Sequence, residues 1–268
     1  MITRFISFLR TLYKNRYMIK SFALADLKRQ YEGSYGGMFW AFGQPLLLIL
    51  TYYIIFGFIF SKGNFLEYGT KSFALFLLGG MVPWLYFSAV VSRSSTVLLE
   101  NKSLVTKTLF PSEIIPICLM VTGIINHLIG LAILIVFTIA ITGTLSPFAF
   151  FVLPYFLLMS LMVLGVSWIL SSLNVFVRDI GQLVAVVLNI WFFYTPIFYP
   201  LSVVPEKYKI FLKINPLYVV ADGYRRTLIQ GTYPDPYKLM YLAAVSVAMF
   251  IIGGMLYKKL KPAFIDVL

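Results

Sequence analysis

Few residues in this chain can do bond-making or metal chemistry. It has one histidine, one cysteine and ten acids in 268 residues. The acids (Asp26, Glu32, Glu67, Glu100, Glu113, Asp179, Glu206, Asp222, Asp235 and Asp266) lie between apolar stretches or at their ends. Only His127 sits deep in one, with no acid near it in sequence. An ionisable group at membrane depth is costly and marks either a proton path or a hydrogen-bonded packing residue. Without a partner in sequence, packing is the expected role. Cys118, alone, excludes an internal disulfide and a cysteine-based metal site, and no metal is expected. The stretch "GTKS" at 69–72 lacks the Gly-Lys adjacency and the preceding strand of a phosphate-cradling loop. Catalysis calls for several such groups together. No catalytic residue is assigned, and energy for any uphill work is expected from another chain. A lipid-modifying enzyme built around His127 is the alternative these residues support least.

Polar chemistry concentrates instead in "ENKSLVTKTLFPSEIIP", residues 100–116, inside a sequence that is 60% hydrophobic and 12% charged. Soluble domains carry about 45–50% apolar and about 25% charged residues, so the solvent for most of this chain is lipid. Apolar runs at 38–60, 72–92, 113–143, 149–173, 181–200 and 238–257 each reach the roughly 20 residues that cross a ~30 Å hydrocarbon core. The expected fold is all-α: a polytopic membrane protein with six transmembrane helices, an N-terminal amphipathic interfacial helix and short re-entrant or interfacial outer helices. The expected division is a cytoplasmic interfacial segment 1–37, a six-span domain 38–257 and a tail 258–268. The first run follows a long charged segment without a small-residue cleavage site, so it is expected to be a retained span.

Fourteen of the 22 Lys and Arg residues fall in 1–37, 93–112, 174–180 and the tail. Positive charge marks the cytoplasmic side, so both termini are expected there. The net charge of +12 then suits anionic headgroups; it is not gathered on a soluble domain, and no nucleic acid is expected. The segment "VLLENKSLVTKTLF", 97–110, can form a short amphipathic helix on that side, with Leu98, Leu99, Leu104, Val105 and Leu109 apolar. Pro111 breaks it, and Pro116 suits the first turn of the third span. Glu113 is placed to favour that helix's N-terminus. Such a helix is either a handle for a partner or a connector resting on the bilayer; the residues alone leave both open.

"GMVPWLYFSAVVSRSSTVLLENKSLVTKTLFPSEIIPI" resembles the second-span and loop region of permease subunits of ABC exporters of polysaccharides: O-antigen, capsule and teichoic acid. "YEGSYGGMFWAFGQPLLL" is similar to their first-span approach through Tyr31, Ser34, Gly37, Trp40 and Pro45. "VRDIGQL", "YTPIFYP" and "NPL" follow in the same order, so the resemblance covers essentially the whole chain. Gln30 stands where the family often has Arg, and Phe110-Pro111-Ser112-Glu113 replaces its usual basic third position. The resemblance implies a homodimer with two copies of a separate cytoplasmic ATPase, which carries the ATP and magnesium; this chain holds no cofactor. It assigns ATPase coupling to the 100–112 loop, through Asn101, Lys102, Ser103, Leu104, Leu109 and Phe110. Arg178 and Asp179 fall in the other short cytoplasmic loop, where they contact the ATPase or hold a helix end. The implied place is a bacterial inner membrane and the implied substrate a lipid-linked, O-antigen-like polysaccharide. Teichoic acid, capsule or a small molecule or drug are the alternatives.

Three further groups follow from that implication. "RFISFLRTLYKNRYMIK" suggests a basic amphipathic helix at the membrane surface, and Lys28 and Arg29 after it are candidates for the phosphate of a lipid-linked glycan. In the outer loop 201–237, Asn215 reads as a cap, Pro216 as the first helical position and Gly231 as a stop. Leu217, Val220, Tyr224 and Leu228 form a stripe on a helix of about 22 Å, too short to span. The family places an outer gate here, with Tyr224, Arg225 and Arg226 at its rim. Aromatics near span ends, Trp40, Trp84 and Tyr199, read as interface belts. Tyr52, Tyr53, Phe87, Phe192 and Tyr194 extend into spans, where they either line a glycan channel or simply pack.

Overall fold

The computed structural model describes residues 14–33, 35–60, 65–107 and 111–268. Leu109, Phe110, Ser34 and the proposed amphipathic stretch before Lys14 lie outside the described residues. Among the described residues every regular element is helical.

The order is α1 (Arg16–Tyr31), α2 (Trp40–Phe60), α3 (Phe73–Glu100), α4 (Lys102–Lys107), α5 (Ile114–Thr142), α6 (Val152–Phe176), α7 (Ile180–Tyr194), α8 (Glu206–Ile214), α9 (Pro216–Tyr224), α10 (Pro236–Leu260) and α11 (Phe264–Val267). The stretches Phe73–Glu100, Ile114–Thr142, Pro147–Phe176 and Pro236–Val267 are long and apolar enough to cross a membrane. Two shorter apolar helices occupy Phe42–Gly57 and Ile180–Tyr194. This is a multi-pass membrane architecture.

α3 is the central post. It packs on α2, α5, α6, α7 and α9, and it is the most enclosed of the long helices. It also runs eight residues past the expected end at 92. Ser94 and Ser95 satisfy their hydroxyls on the carbonyls of Val91 and Ser92, one turn back, so this polar stretch continues the helix instead of opening a loop. Leu98, Leu99 and Glu100 therefore belong to α3. Of the expected amphipathic helix, the described part is Lys102–Lys107, after a break at Asn101. The expected run 181–200 is cut as well: the helix ends at Tyr194, and Pro196 keeps the chain from continuing it.

α6 and α10 pack along their length. A Cβ on Gly253 would fall 2.1 Å from the Gly165 carbonyl oxygen, and one on Gly165 2.3 Å from that of Met249. Only glycine permits this backbone-to-backbone crossing, which is the usual way helices gain van der Waals contact where lipid supplies no hydrophobic drive.

The charged segments expected on one side do converge. Arg93 of α3 forms a two-pronged bond to Asp26 of α1. Lys261, after α10, donates to Glu113 at the start of α5 at 2.5 Å. Trp168 Nε1 donates to the Glu113 carbonyl. A second apolar cluster, with Val97, Leu98, Val105, Ile115 and Phe264, lies beneath this end.

Candidate functional site

At the end where those charges meet, Asn101 is buried and its amide donates to the Val97 carbonyl at 2.9 Å. That bond finishes α3 and starts α4 at a fixed angle. Val105 faces inward, and α11 packs against α4. Lys102 and Ser103 are exposed and Leu104 is half-buried. The short helix is thus held from beneath by its own fold, while its outer face is polar. Arg178 and Asp179 are both exposed at the start of α7, with no ion pair between them among the described residues. Lys28 and Arg29 are exposed in the last turn of α1.

The aromatic residues sort into two groups. Phe87 is wholly buried, set edge-on to Trp191 at 5.2 Å. Phe192 is nearly buried among Tyr52, Trp84 and Phe198. Of the two roles expected for them, lining a pathway or packing, both rings show packing within the chain, enclosed by neighbouring aromatics. Trp84, expected in an interface belt, is likewise buried in this cluster, because α3 begins eleven residues before it. Tyr53 and Tyr194 are exposed and Tyr52 half-buried. The Tyr194 hydroxyl donates to the Phe211 carbonyl at 2.5 Å, tying α7 to α8.

The outer segment is more deeply built than its sequence suggests. Asn215 caps α9 through Leu217 N–H as expected. The same side chain accepts from Trp191 Nε1 at 3.0 Å and donates to Thr195 Oγ1 at 2.8 Å. The helix turns π-helical over Arg225–Gln230 and stops at Gly231, whose φ is 65°. Leu217, Val220, Tyr224 and Leu228 are all buried, as the stripe predicts, but so is every residue between Leu217 and Arg225. This helix sits inside the bundle, against α3, α6 and α10.

Arg225, expected at an outer rim, is 0% exposed. Its guanidinium donates to the carbonyls of Phe76, Pro196 and Ile197 at 3.1, 3.0 and 2.7 Å, and lies 3.7 Å from the Phe76 ring centroid. A Cβ on Gly79 or Gly80 would meet it at 2.8 Å. These two glycines open a slot in α3 that the arginine fills, and its planar fork matches several acceptors at once. Tyr224, also expected at the rim, is buried, with its hydroxyl 2.9 Å from His127 Nε2. The His127 ring stacks on Phe156 at 4.6 Å, which is the packing role read from the sequence. Arg226 alone keeps partial exposure, paired with Asp222 at 3.5 Å; Lys238 holds the same carboxylate at 2.7 Å.

Sequence reasoning missed the Arg93–Asp26 pair, the Gly165–Gly253 crossing and the Arg225 slot. A double glycine inside an apolar helix was the available signal for the last.

The family model described as ABC-2 type transporter matches residues 18–229. The chain is 29% identical over 264 residues to the O-antigen export system permease protein RfbA of Myxococcus xanthus, covering 97% of this chain and 99% of the relative. It is 28% identical to the Klebsiella pneumoniae protein of the same name, covering 91% and 92%. To the polysialic acid transport protein KpsM of Escherichia coli it is 26% identical, covering 92% and 95%.

Proposed function

The chain belongs to the ABC-2 type transporter family, and from that premise we propose that it is the membrane subunit of an ATP-driven exporter of lipid-linked polysaccharide. The observation that carries this reading is similarity over nearly the whole chain to permeases named for O-antigen and polysialic acid export. Hydrolysis of ATP, with its magnesium, belongs to a separate cytoplasmic ATPase. Two copies of each subunit assemble in a bacterial inner membrane, with both termini cytoplasmic and six passes formed by α2, α3, α5, α6, α7 and α10.

The coupling contact is the 100–112 loop. Support comes from its rigid mounting: Asn101 and Val105 anchor α4 from within, leaving Lys102 and Ser103 outward. Arg178 and Asp179, exposed, form a second cytoplasmic contact. The pathway runs where the two copies meet. α7 has 15 residues, about 22 Å, so its pass of the ~30 Å core is completed by the non-helical residues after Tyr194; such backbone needs protein neighbours and not lipid. Tyr52, Tyr53 and Tyr194 offer phenols to the glycan, and Phe87 and Phe192 brace them from behind. Weak repeated contacts of this kind permit sliding. Lys28 and Arg29 meet the phosphate of the lipid-linked substrate, and the α9 segment closes the outer side with Arg226 towards the surface.

The test is deletion and complementation. Loss of the chain should leave the polymer inside the cell, and restoring it with its ATPase should return polymer to the outer face. Polymer at normal surface levels without the chain would refute the reading. Orientation is checked by single cysteines in a Cys118→Ser background. Those replacing Lys102, Arg178 and Lys258 should resist impermeant thiol reagents in intact cells, while one replacing Lys209 is labelled.

A further inference from the structure

A cleft of about 390 Å3 lies between α1, α2, α3 and α5, with Tyr86 and His127 of the buried core in its wall. One end is polar, with Gln30, Gln44, Arg93 and Asn126. The other is apolar, walled by Leu48, Ile49, Val82 and Ile133. Along α5 it extends from Leu119 to Ile133, about 21 Å at 1.5 Å per residue. The exposed Leu48 and Ala89 lie on its margin. A long slot, polar at one end and apolar at the other, has the form of one acyl chain with its headgroup.

The polar end is specific about charge. Arg93 is bound to Asp26 through Nη1–Oδ2 at 3.0 Å and Nη2–Oδ1 at 2.5 Å, so this pair contributes no net charge. Asn126 Nδ2 donates to Gln30 Oε1 at 3.5 Å, while Asn126 Oδ1 is buried and accepts nothing among the described residues. A buried acceptor without a donor is costly, and it asks for an N–H or O–H from whatever fills the cleft.

We propose that this cleft holds a membrane phosphatidylethanolamine, with one acyl chain between α2 and α5 and the headgroup among Gln30, Gln44, Arg93 and Asn126. The ammonium supplies the donor that Asn126 Oδ1 lacks. The phosphate accepts from the Gln44 amide and from guanidinium N–H groups of Arg93 not spent on Asp26. A doubly charged pyrophosphate carrier needs an excess of cations, whereas the lining has one and Asp26 neutralises it. The site is therefore distinct from the substrate contact assigned to Lys28 and Arg29, and it stands whatever the chain exports.

The test uses the full chain, purified in detergent and exchanged against micelles holding phosphatidylethanolamine, phosphatidylcholine or a polyprenyl pyrophosphate. Lipid retained after washing is counted by native mass spectrometry. Wild type should keep a single phosphatidylethanolamine per chain and lose phosphatidylcholine, whose ammonium has no N–H. Ala89→Phe fills the cleft from an exposed position and should cut retention roughly tenfold, about 1.4 kcal/mol in binding. Asn126→Leu should erase the preference for ethanolamine over choline, and it decides the matter if Ala89→Phe fails to fold. Equal retention of the two phospholipids by wild type, unchanged retention in folded Ala89→Phe, or a preference for the pyrophosphate would each overturn the proposal. Export is not the readout, so failure of the transport reading would leave this result unaffected.

Discussion

At one end of the molecule, the one proposed to face outward, an arginine lies wholly buried on three carbonyl oxygens, in a slot made by two glycines of another helix. At the opposite end, Lys102, Ser103, Arg178 and Asp179 stand exposed over a small apolar cluster. The outer segment reads as a loop in sequence and behaves as core. The 97–110 segment reads as one patterned helix in sequence, but its first residues belong to the long helix α3. Each outer polar side chain named above is spent on the fold itself: Asn215 joins α7 to α9, Asp222 joins α9 to α10, and Arg225 joins α3 to the turn after α7. At the other end Arg93–Asp26 and Lys261–Glu113 join helices, while Lys102, Arg178 and Asp179 are exposed. The difference separates residues that hold a shape from residues free to meet a partner.

The largest expected effect tests the outer end. Arg225→Met leaves the Pro196 and Ile197 carbonyls without their donor, and each buried unsatisfied group costs about 1–3 kcal/mol. Folded, monodisperse protein should fall sharply on size-exclusion chromatography. Arg225→Lys should not restore it, since a compact ammonium cannot reproduce the planar fork. Full recovery with lysine would mean that charge, and not geometry, holds the slot.

Phe87→Ala comes next. Removing a buried ring costs roughly 3–5 kcal/mol, so assembled protein and export should fall together. If assembly is intact and only export drops, Phe87 meets the polymer after all. Leu104→Asp is aimed at the other end. It should leave the permease folded and weaken ATPase association by about 2–5 kcal/mol, the range for an unpaired charge at a buried contact. Normal co-purification with the ATPase would remove this loop from the coupling contact. Tyr52→Ala and Tyr194→Ala should have the smallest effects on assembly, because these rings are not fully enclosed. Export of long polymer should drop modestly, and further in the double variant. Unchanged export in the double variant would place both phenols against lipid.

Local signals in the sequence survive in the structure. Asn215, Pro216 and Gly231 mark the start and stop of the outer helix because capping depends on neighbours within a few residues. The long apolar runs mark the spans for the same reason, and His127 is a packing residue as its isolation implied. What was not legible depends on distant partners. Arg225 looks like a surface arginine until Gly79 and Gly80, almost 150 residues earlier, are brought to it. Asp26 and Arg93 meet across 67 residues. Phe87 and Phe192 resemble Tyr52 and Tyr194 in pattern, and only the neighbours supplied by Trp84, Trp191 and Phe198 separate wall from backing. The early end assigned to α3 had another cause: serines bonded to their own backbone extend a helix that polarity alone would have closed.

The contrast between the two ends is tested most directly by one paired measurement on Leu104→Asp and Arg225→Met, each co-expressed with the ATPase: the amount of folded permease and the amount of ATPase bound per permease. The account predicts that Leu104→Asp keeps the permease and loses the ATPase, while Arg225→Met loses the permease and leaves the ratio unchanged in whatever survives. Folded Arg225→Met lacking the ATPase, together with Leu104→Asp that cannot fold, would contradict it.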